Sequence, residues 1–572
     1  MSLKPDPIHP VPEETARVAR AAFRKGNPLL KLRDELGAIF ADADFADLFP
    51  RLGQPGLAPW RLALVTLLQF RENLPDRQAA EAVRARIDWK YLLGLELTDP
   101  GFDHSVLCEF RSRLLAGSAE ERLLGKLLDA CQARGLLKAR GRQRTDATRV
   151  LASIRVLNRL ELLGETLRAA LNEIATVAPD WLRAAAPRAW YERYARRVED
   201  GRLPRAVAER EAYARVVGED GFALLDRLDE PATPEGLGRL PAVGVLRRVW
   251  ARHFVREDGA PPGGGARLRA EDDPPPSTEP IESPYDTEAR FRTRSGTSWT
   301  GYVVHLSETC EDDAVNLITH AMTTTATVHE ARCTAAIHRA LAGKGLAPSE
   351  HLVDSAYVDA GLLVGSREDH GIDLVGPPRP NPSWQGKVEG GYTLDRFEVD
   401  WDERRVRCPQ GKLSSAWSPQ VDHAGAPYVS VMFRKADCGA CPARPLCTRA
   451  GHRARHLKLP PRAEHGALRT ARERLGTKEG RRRYARRAGI EGTAPSRRAC
   501  APSGCAGRAT TAWPRPACST WRPPLPSTSA AWATGCGRSH APPPAPPASP
   551  PSPPDPNSPA VSDLLCWRPG RA

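Results

Sequence analysis

The chain has 572 residues, more than one hydrophobic core usually supports, so two to four modules are expected. A formal net charge of +14 and a pI near 9.3 point to a phosphate-rich partner, because a polyanion releases counterions when Lys and Arg neutralise it. The sequence has no apolar run of about 18 residues, no basic amphipathic anchor and no apolar signal core near its start, so a cytoplasmic, nucleoid-associated protein without a membrane partner is expected.

In chain order, residues up to about 140 alternate helix-period apolar stretches with short breaks, as in 60–70 and 76–95. In the second of these, Asp76 reads as the opening cap and Gly94 as the interruption of its end. Residues 102–114 read as a capped basic helix of the kind that docks in a major groove, with a plain helical bundle as the alternative. Residues 156–260 are helical in pattern and highly charged, and they run out into Gly- and Pro-rich stretches. They read as an insertion after a first strand. Strand signals return at 298–307 and 314–325, where β-branched and aromatic residues nearly alternate. A helix over 328–341, a strand ending at Asp354 and a short strand at 372–376 complete this part.

Thirteen cysteines, an odd number, are expected as free thiols or metal ligands rather than disulfides. Four of them cluster: Cys408, then Cys438, Cys441 and Cys447. One C-x2-C knuckle with two flanking thiols suits tetrahedral zinc, and His423 is a substitute fourth ligand. The alternative is four reduced thiols in a small β-rich insert.

Three acidic motifs carry the chemistry. Asp146 opens an apolar stretch in Thr145-Asp146-Ala147-Thr148, Asp354 closes the run from Glu350, and Tyr484, Arg487 and Glu491 fall at i, i+3 and i+7, one face of a helix. Three carboxylates from distant segments are what a two-metal phosphodiester site needs, since Mg²⁺ or Mn²⁺ clamps attacking and leaving oxygens only where hard oxygen ligands converge. Singly, each has a plainer reading as a turn, a cap or a solvated helix face, and Asp359 competes with Asp354. The joint pattern, beside the basic stretch 478–487 with Arg481, Arg482 and Arg483 set to track phosphates, favours a site.

On these motifs the chain resembles the DDE transposases of bacterial insertion sequences that carry a fused helical N-terminal domain. Its third motif matches that superfamily's Y-x2-R-x3-E signature, and the resemblance runs from about Ile39 to Thr493. It implies an RNase H-like α/β catalytic core over 141–493, interrupted by the helical insertion 156–275 and a Cys-rich insert 400–455. The order β, inserted helices, ββ, α, β and a late Glu-bearing helix fits such a core. An all-α DNA-binding domain over 1–140 would precede it and recognise terminal inverted repeats. Asp146, Asp354 and Glu491 would be the metal triad, with Tyr484 and Arg487 beside the DNA backbone. The implied activity is end cleavage followed by strand transfer into target DNA, with a homo-oligomer synapsing two ends. The competing readings are a non-catalytic DNA-binding relic and a stand-alone RNase H-like nuclease.

After Thr493 the composition changes abruptly. The 79 residues 494–572 hold 19 prolines, five cysteines and four tryptophans, with no Lys, Ile, Phe, Met, Tyr, Glu or Gln. A Pro-rich disordered tail would avoid Cys and Trp, whereas a GC-rich gene read out of frame produces this mixture. Back-translating 497–529 and reading each codon one base earlier admits an amphipathic, helix-like peptide similar to the family's continuation. An out-of-frame tail is expected, and with it a product impaired as translated.

Overall fold

The computed structural model describes residues 2–492 except 6, 260, 262, 271, 272, 274–278, 295 and 381. The 494–572 tail lies outside the described residues. Two compact units divide between Arg134 and Gly135. No described helix is long and apolar enough to cross a membrane.

The first unit is helical: α1 (Glu13–Ala22), α2 (Pro28–Leu36), a 3-10 turn Asp42–Leu48, α3 (Pro59–Glu72), α4 (Asp76–Ala85), α5 (Ile87–Leu93), α6 (Ser105–Ala116) and α7 (Arg122–Ala133). Pro59 starts α3 where a missing N–H costs nothing, and Asn73 closes it in the left-handed region. Between them Trp60, Leu62, Ala63, Leu64, Val65 and Leu68 are buried, which makes α3 the core helix of the unit. Phe45 packs between Phe40 and Phe110, with ring centroids 6.1 and 5.7 Å away.

Two expectations fail in this unit. The single helix read over 76–95 is two, because Arg86 takes an extended backbone (φ −95°, ψ 123°). Its guanidinium pairs with Glu72 on α3 and with Asp88 at 2.6 Å, and lies 5.2 Å from the Trp89 ring. Those partners offset the broken turn. Asp76 is not the cap either; its carboxylate accepts from Gln69 (2.6 Å) and Arg111 (2.7 Å). Gly94 does end α5, at φ 61°. Helix α6 begins where expected, with Asp103 accepting the Ser105 N–H at 2.9 Å. Its arginines are not a free basic face, since Arg111 is tied to Asp76, and Arg113 to Glu109 at 2.6 Å and to the Phe49 ring.

The second unit is α/β. Strand β1 (Arg142–Leu151) is followed by α8 (Arg159–Val177), α9 (Pro179–Ala185), α10 (Arg188–Tyr194), α11 (Val207–Leu228) and α12 (Pro241–His253), and by the hairpin β2 (Phe254–Arg256) and β3 (Ala266–Leu268). These helices close on their own core of Leu163, Leu167, Ile174, Val217, Leu246 and Trp250. Inside it the buried Asp220 accepts from Trp190 (2.8 Å), Arg193 (2.8 Å) and Tyr194 (2.6 Å), so its charge is fully partnered.

The chain then returns to the sheet through β4 (Arg290–Arg294), β5 (Thr297–Thr309), β6 (Ile318–Thr325), α13 (Ala331–Gly343), β7 (Glu350–Leu352), α14 (Ala360–His370) and β8 (Asp373–Val375). Strand β5 buries alternate residues, Trp299, Val303, His305 and Ser307, as its β-branched and aromatic pattern predicts. It is antiparallel to β1 on one side, and to β4 and then β6 on the other. Beyond β1, strands β7 and β8 run parallel to it, each reached through a helix. The sheet thus reads β6-β5-β1-β7-β8, with β4 sharing the β6 edge.

A smaller module follows: the hairpin β9 (Glu398–Asp400) and β10 (Arg405–Arg407), the sheet β11 (Ala416–Val421), β12 (Pro427–Met432) and β13 (His456–Leu459), and the short helices α15 (Lys435–Gly439) and α16 (Arg444–Cys447). Phe397, Val406, Val431, Phe433, Cys447 and Leu457 form its core. Helix α17 (Arg462–Gly476), helix α18 (Lys478–Ala485) and a 3-10 segment, Arg486–Gly492, end the described chain.

Candidate active site

Parallel pairing places Arg142, Gln143 and Arg144 of β1 opposite Glu350, His351 and Leu352 of β7. Continued by two residues past the end of β7, that register brings Asp354 beside Asp146, near enough for the two charges to interact. Asp146 lies within β1, opposite Leu306 of β5, and its carboxylate accepts the Ala147 N–H at 2.8 Å. Asp354 follows β7, where it caps the 3-10 turn Ser355–Tyr357 by accepting the Ala356 N–H at 2.8 Å. Asp359 is occupied differently, as the cap of α14 through the Leu362 N–H at 2.7 Å.

The third motif docks on these strands residue by residue. Arg483 pairs with the buried Glu350 of β7 at 2.6 Å. The Tyr484 hydroxyl donates to the Val353 carbonyl at 3.1 Å, and its ring packs on Cys310, Leu352 and Val375. Arg486 pairs with Asp312 at 2.6 Å. Arg487 reaches Asp146 at 2.7 Å and Glu491 at 3.3 Å. The helix face read across 484–491 is corrected: α18 stops at Ala485, and the rest is 3-10, because these contacts draw the backbone onto the sheet. Tyr484 and Arg487 therefore face the carboxylates and the sheet. Arg481 caps the Gly476 carbonyl at 2.9 Å, and Arg482 is exposed.

Burial pushes the Asp146 carboxyl up, and the neighbouring Asp354 charge adds to it, against Arg487 and the Ala147 N–H. Burial lowers Arg487, but the carboxylates Asp146, Asp354 and Glu491 and the Tyr484 hydroxyl outweigh it, so its guanidinium is held more firmly charged. Behind the pair, Tyr357 is buried and shares a 2.6 Å hydrogen bond with His305. Arg294 stands 3.8 Å from Asp354 and is anchored on the buried Glu330.

Asp146 and Asp354 are neighbouring hard oxygen donors, the donor chemistry that suits Mg²⁺ or Mn²⁺. Among the described residues no three His, Cys, Asp or Glu side chains converge closely enough to hold a metal ion. The structure thus brings together Asp146, Asp354, Tyr484 and Arg487, while the Glu491 side chain stays 64% exposed and reaches the group through Arg487. Sequence reading missed Arg144, whose spacing of two from Asp146 on a strand was the available signal, and the pair Arg294–Glu330, for which no local signal exists.

The four cysteines share the small module as free thiols. Burial pushes the Cys447 thiol up, and Cys438, Cys441 and Cys408 push it further, against Arg455. His423 is ruled out as a substitute ligand, because it sits in the β11–β12 turn, six paired residues and about 20 Å from the end of the hairpin that leads to Cys438.

Comparison with known families gives two matches. Residues 17–113 match the model described as Transposase domain (DUF772), and residues 407–497 match a Transposase DDE domain. Searches of curated proteins and of solved structures found no match. A transposase domain in the helical unit, and a DDE domain that runs from the cysteine module through the Tyr484–Glu491 motif, support an insertion-sequence DDE transposase.

Proposed function

We propose that the chain cleaves the ends of an insertion sequence and transfers them to target DNA through an RNase H-like domain in which Asp146, Asp354 and Glu491 are the metal ligands. The observation that carries this reading is the parallel pairing of β1 with β7, whose register continued past Leu352 brings Asp354 beside Asp146, together with the hold of Arg487 on Asp146. Three antiparallel strands followed by two parallel ones, in the order β6-β5-β1-β7-β8, support the RNase H-like assignment. When bound, divalent cations supply a hydroxide-like water and stabilise the departing 3′ oxygen. Asp146, Asp354 and Glu491 would hold the cations, Arg487 ties the Glu491 carboxylate to Asp146, and Tyr484 fixes the turn that carries Asp354. No covalent enzyme intermediate is needed, so Tyr484 is a positioning residue.

In the helical unit, Arg24 and Lys25 in the turn after α1 and Lys31 on α2 are exposed, which supports terminal-repeat DNA as its partner. The zone after Thr493 supports reduced activity of this product, because the DDE-domain match stops at residue 497, where the composition has already changed.

The test uses a chain whose frame is restored after Thr493. Asp146→Asn and Asp354→Asn should each lower Mg²⁺-dependent end cleavage by more than about a hundredfold, since each removes a ligand worth several kcal/mol of charge stabilisation, and should leave DNA binding intact. Unchanged cleavage in either variant, or a loss confined to Asp359→Ala, sinks the assignment.

A further inference from the structure

Two residues before Asp146 on β1, and on the same face of the strand, lies Arg144. It is almost fully buried (6% exposed) and engages the buried Glu308 of β5 through Nε at 2.6 Å and Nη2 at 2.5 Å. Its remaining terminal nitrogen, Nη1, donates to the Arg486 carbonyl at 2.5 Å. A planar guanidinium held by a carboxylate on one edge presents its other nitrogen in a fixed direction, which a lysine cannot reproduce.

The same guanidinium sets the path of the segment beyond Arg486. A Cβ on Gly489 would lie 2.0 Å from Arg144 Nη1 and 2.6 Å from its Cζ. A side-chain tip usually yields to such a contact, but this one is pinned by Glu308 and walled in by the sheet, so the backbone of 489 must move instead. Glycine is thus the residue that lets this segment lie on Arg144. Ile490, fully buried, follows directly, and Glu491 comes next.

We infer that Arg144 is the positioning residue for Glu491: held by Glu308, it fixes the 486–489 backbone through the Arg486 carbonyl and the glycine contact, and so sets where the third carboxylate can reach relative to Asp146. The inference rests on the reading of Glu491 as a metal ligand. Asp146 and Arg144 then act from one strand on two successive residues, Asp146 through the Arg487 side chain and Arg144 through the Arg486 main chain. This two-point attachment fixes the backbone from which Glu491 extends, while its side chain stays exposed.

The test needs no activity: hydrogen exchange uses the full chain as translated, and Mn²⁺ affinity uses a chain restored in frame after Thr493. Hydrogen exchange over 484–492 and Mn²⁺ affinity are measured for the wild type, Arg144→Lys, Gly489→Ala and Glu491→Gln. Arg144→Lys keeps the charge against Glu308, and Gly489→Ala attacks the same contact from the other side should the first variant fail to fold. Both should speed exchange in 486–491 by about tenfold, the factor carried by one lost buried hydrogen bond, while Glu491→Gln leaves exchange unchanged. Mn²⁺ affinity should fall in Glu491→Gln and in Arg144→Lys alike, and the double variant should lose no more than Glu491→Gln alone. Unchanged exchange in both Arg144→Lys and Gly489→Ala overturns the positioning role whatever the metal result. Faster exchange with Mn²⁺ affinity untouched by Glu491→Gln overturns the reading of Glu491 as a ligand instead.

Discussion

The side chains beneath the two aspartates form a buried, uncharged relay across the sheet. Thr145 Oγ1 lies 2.6 Å from both Ser307 Oγ and His351 Nε2, and His351 Nδ1 shares a 2.8 Å hydrogen bond with His338 Nε2. Burial pulls His305 and His338 each down to about 4, and drives His351 well below the usual imidazole range. His253, in the helical insertion, is also pulled down to about 4 by burial and by Arg159 and Arg252. The unfolded chain binds protons at these histidines near pH 6.5, while the folded chain binds them only near 4 at His253, His305 and His338. Their contribution to stability is therefore complete above pH 6.5 and is lost as pH falls from 6.5 towards 4, by about 1.4 kcal/mol per pH unit for each histidine. Denaturant melts at pH 7.5, 6 and 5 should show this fall, and His338→Gln should flatten part of it. A constant midpoint over that range would mean that the histidines are not buried neutral.

At the scale of elements, the cysteine module sets four thiols apart from the sheet that carries Asp146. Cys408 follows β10, Cys438 lies in α15, Cys447 closes α16, and Cys441 joins the two helices. The other three bear on the Cys447 thiol, and Cys438 Sγ accepts the Arg455 N–H at 3.5 Å. Metal analysis of the purified full chain should find about one zinc, and Cys438→Ser should lower it to none. A metal-free chain that melts at the same temperature with and without added zinc would leave only the reduced-thiol reading. The elements of the sheet were legible because their signals are local: β5 in its alternation, β7 in the short run from Glu350 that Asp354 closes, α13 in its period ending at Gly343. The break at Arg86 was not, because it depends on Glu72 in another helix. The end of α18 at Ala485 was equally hidden, since Glu350, Val353 and Asp312, which hold the following turn, lie more than a hundred residues away. For the site, the carboxylates could be read from their motifs, whereas Arg144 and Glu308 have meaning only once β1 and β5 are in register.

At the scale of the whole molecule, the residues after Thr493 bear on the proposed site through Glu491. The docking contacts of Arg483, Tyr484, Arg486 and Arg487 are all made before that point, so the attachment of the third motif to the sheet does not depend on the tail. Glu491 lies four residues beyond the last of them, with its side chain largely exposed and tied to Arg487 alone among its described partners. Catalysis needs such a ligand within about 0.5 Å of its working position, and a helix continuing past Glu491 and packing on the sheet would supply that restraint. The sequence instead places Pro495 four residues after Glu491, which cannot continue a helix, and the stretch that follows lacks Ile, Phe and Met. The chain as translated should therefore bind element ends, yet cleave and transfer them more than about a hundredfold more slowly than a chain restored in frame after Thr493, the usual loss when a ligand is misplaced by an ångström. A side-by-side transposition assay with matched expression decides the point. Equal activity would mean that the docked segment alone aims Glu491, and that the altered tail costs the enzyme nothing.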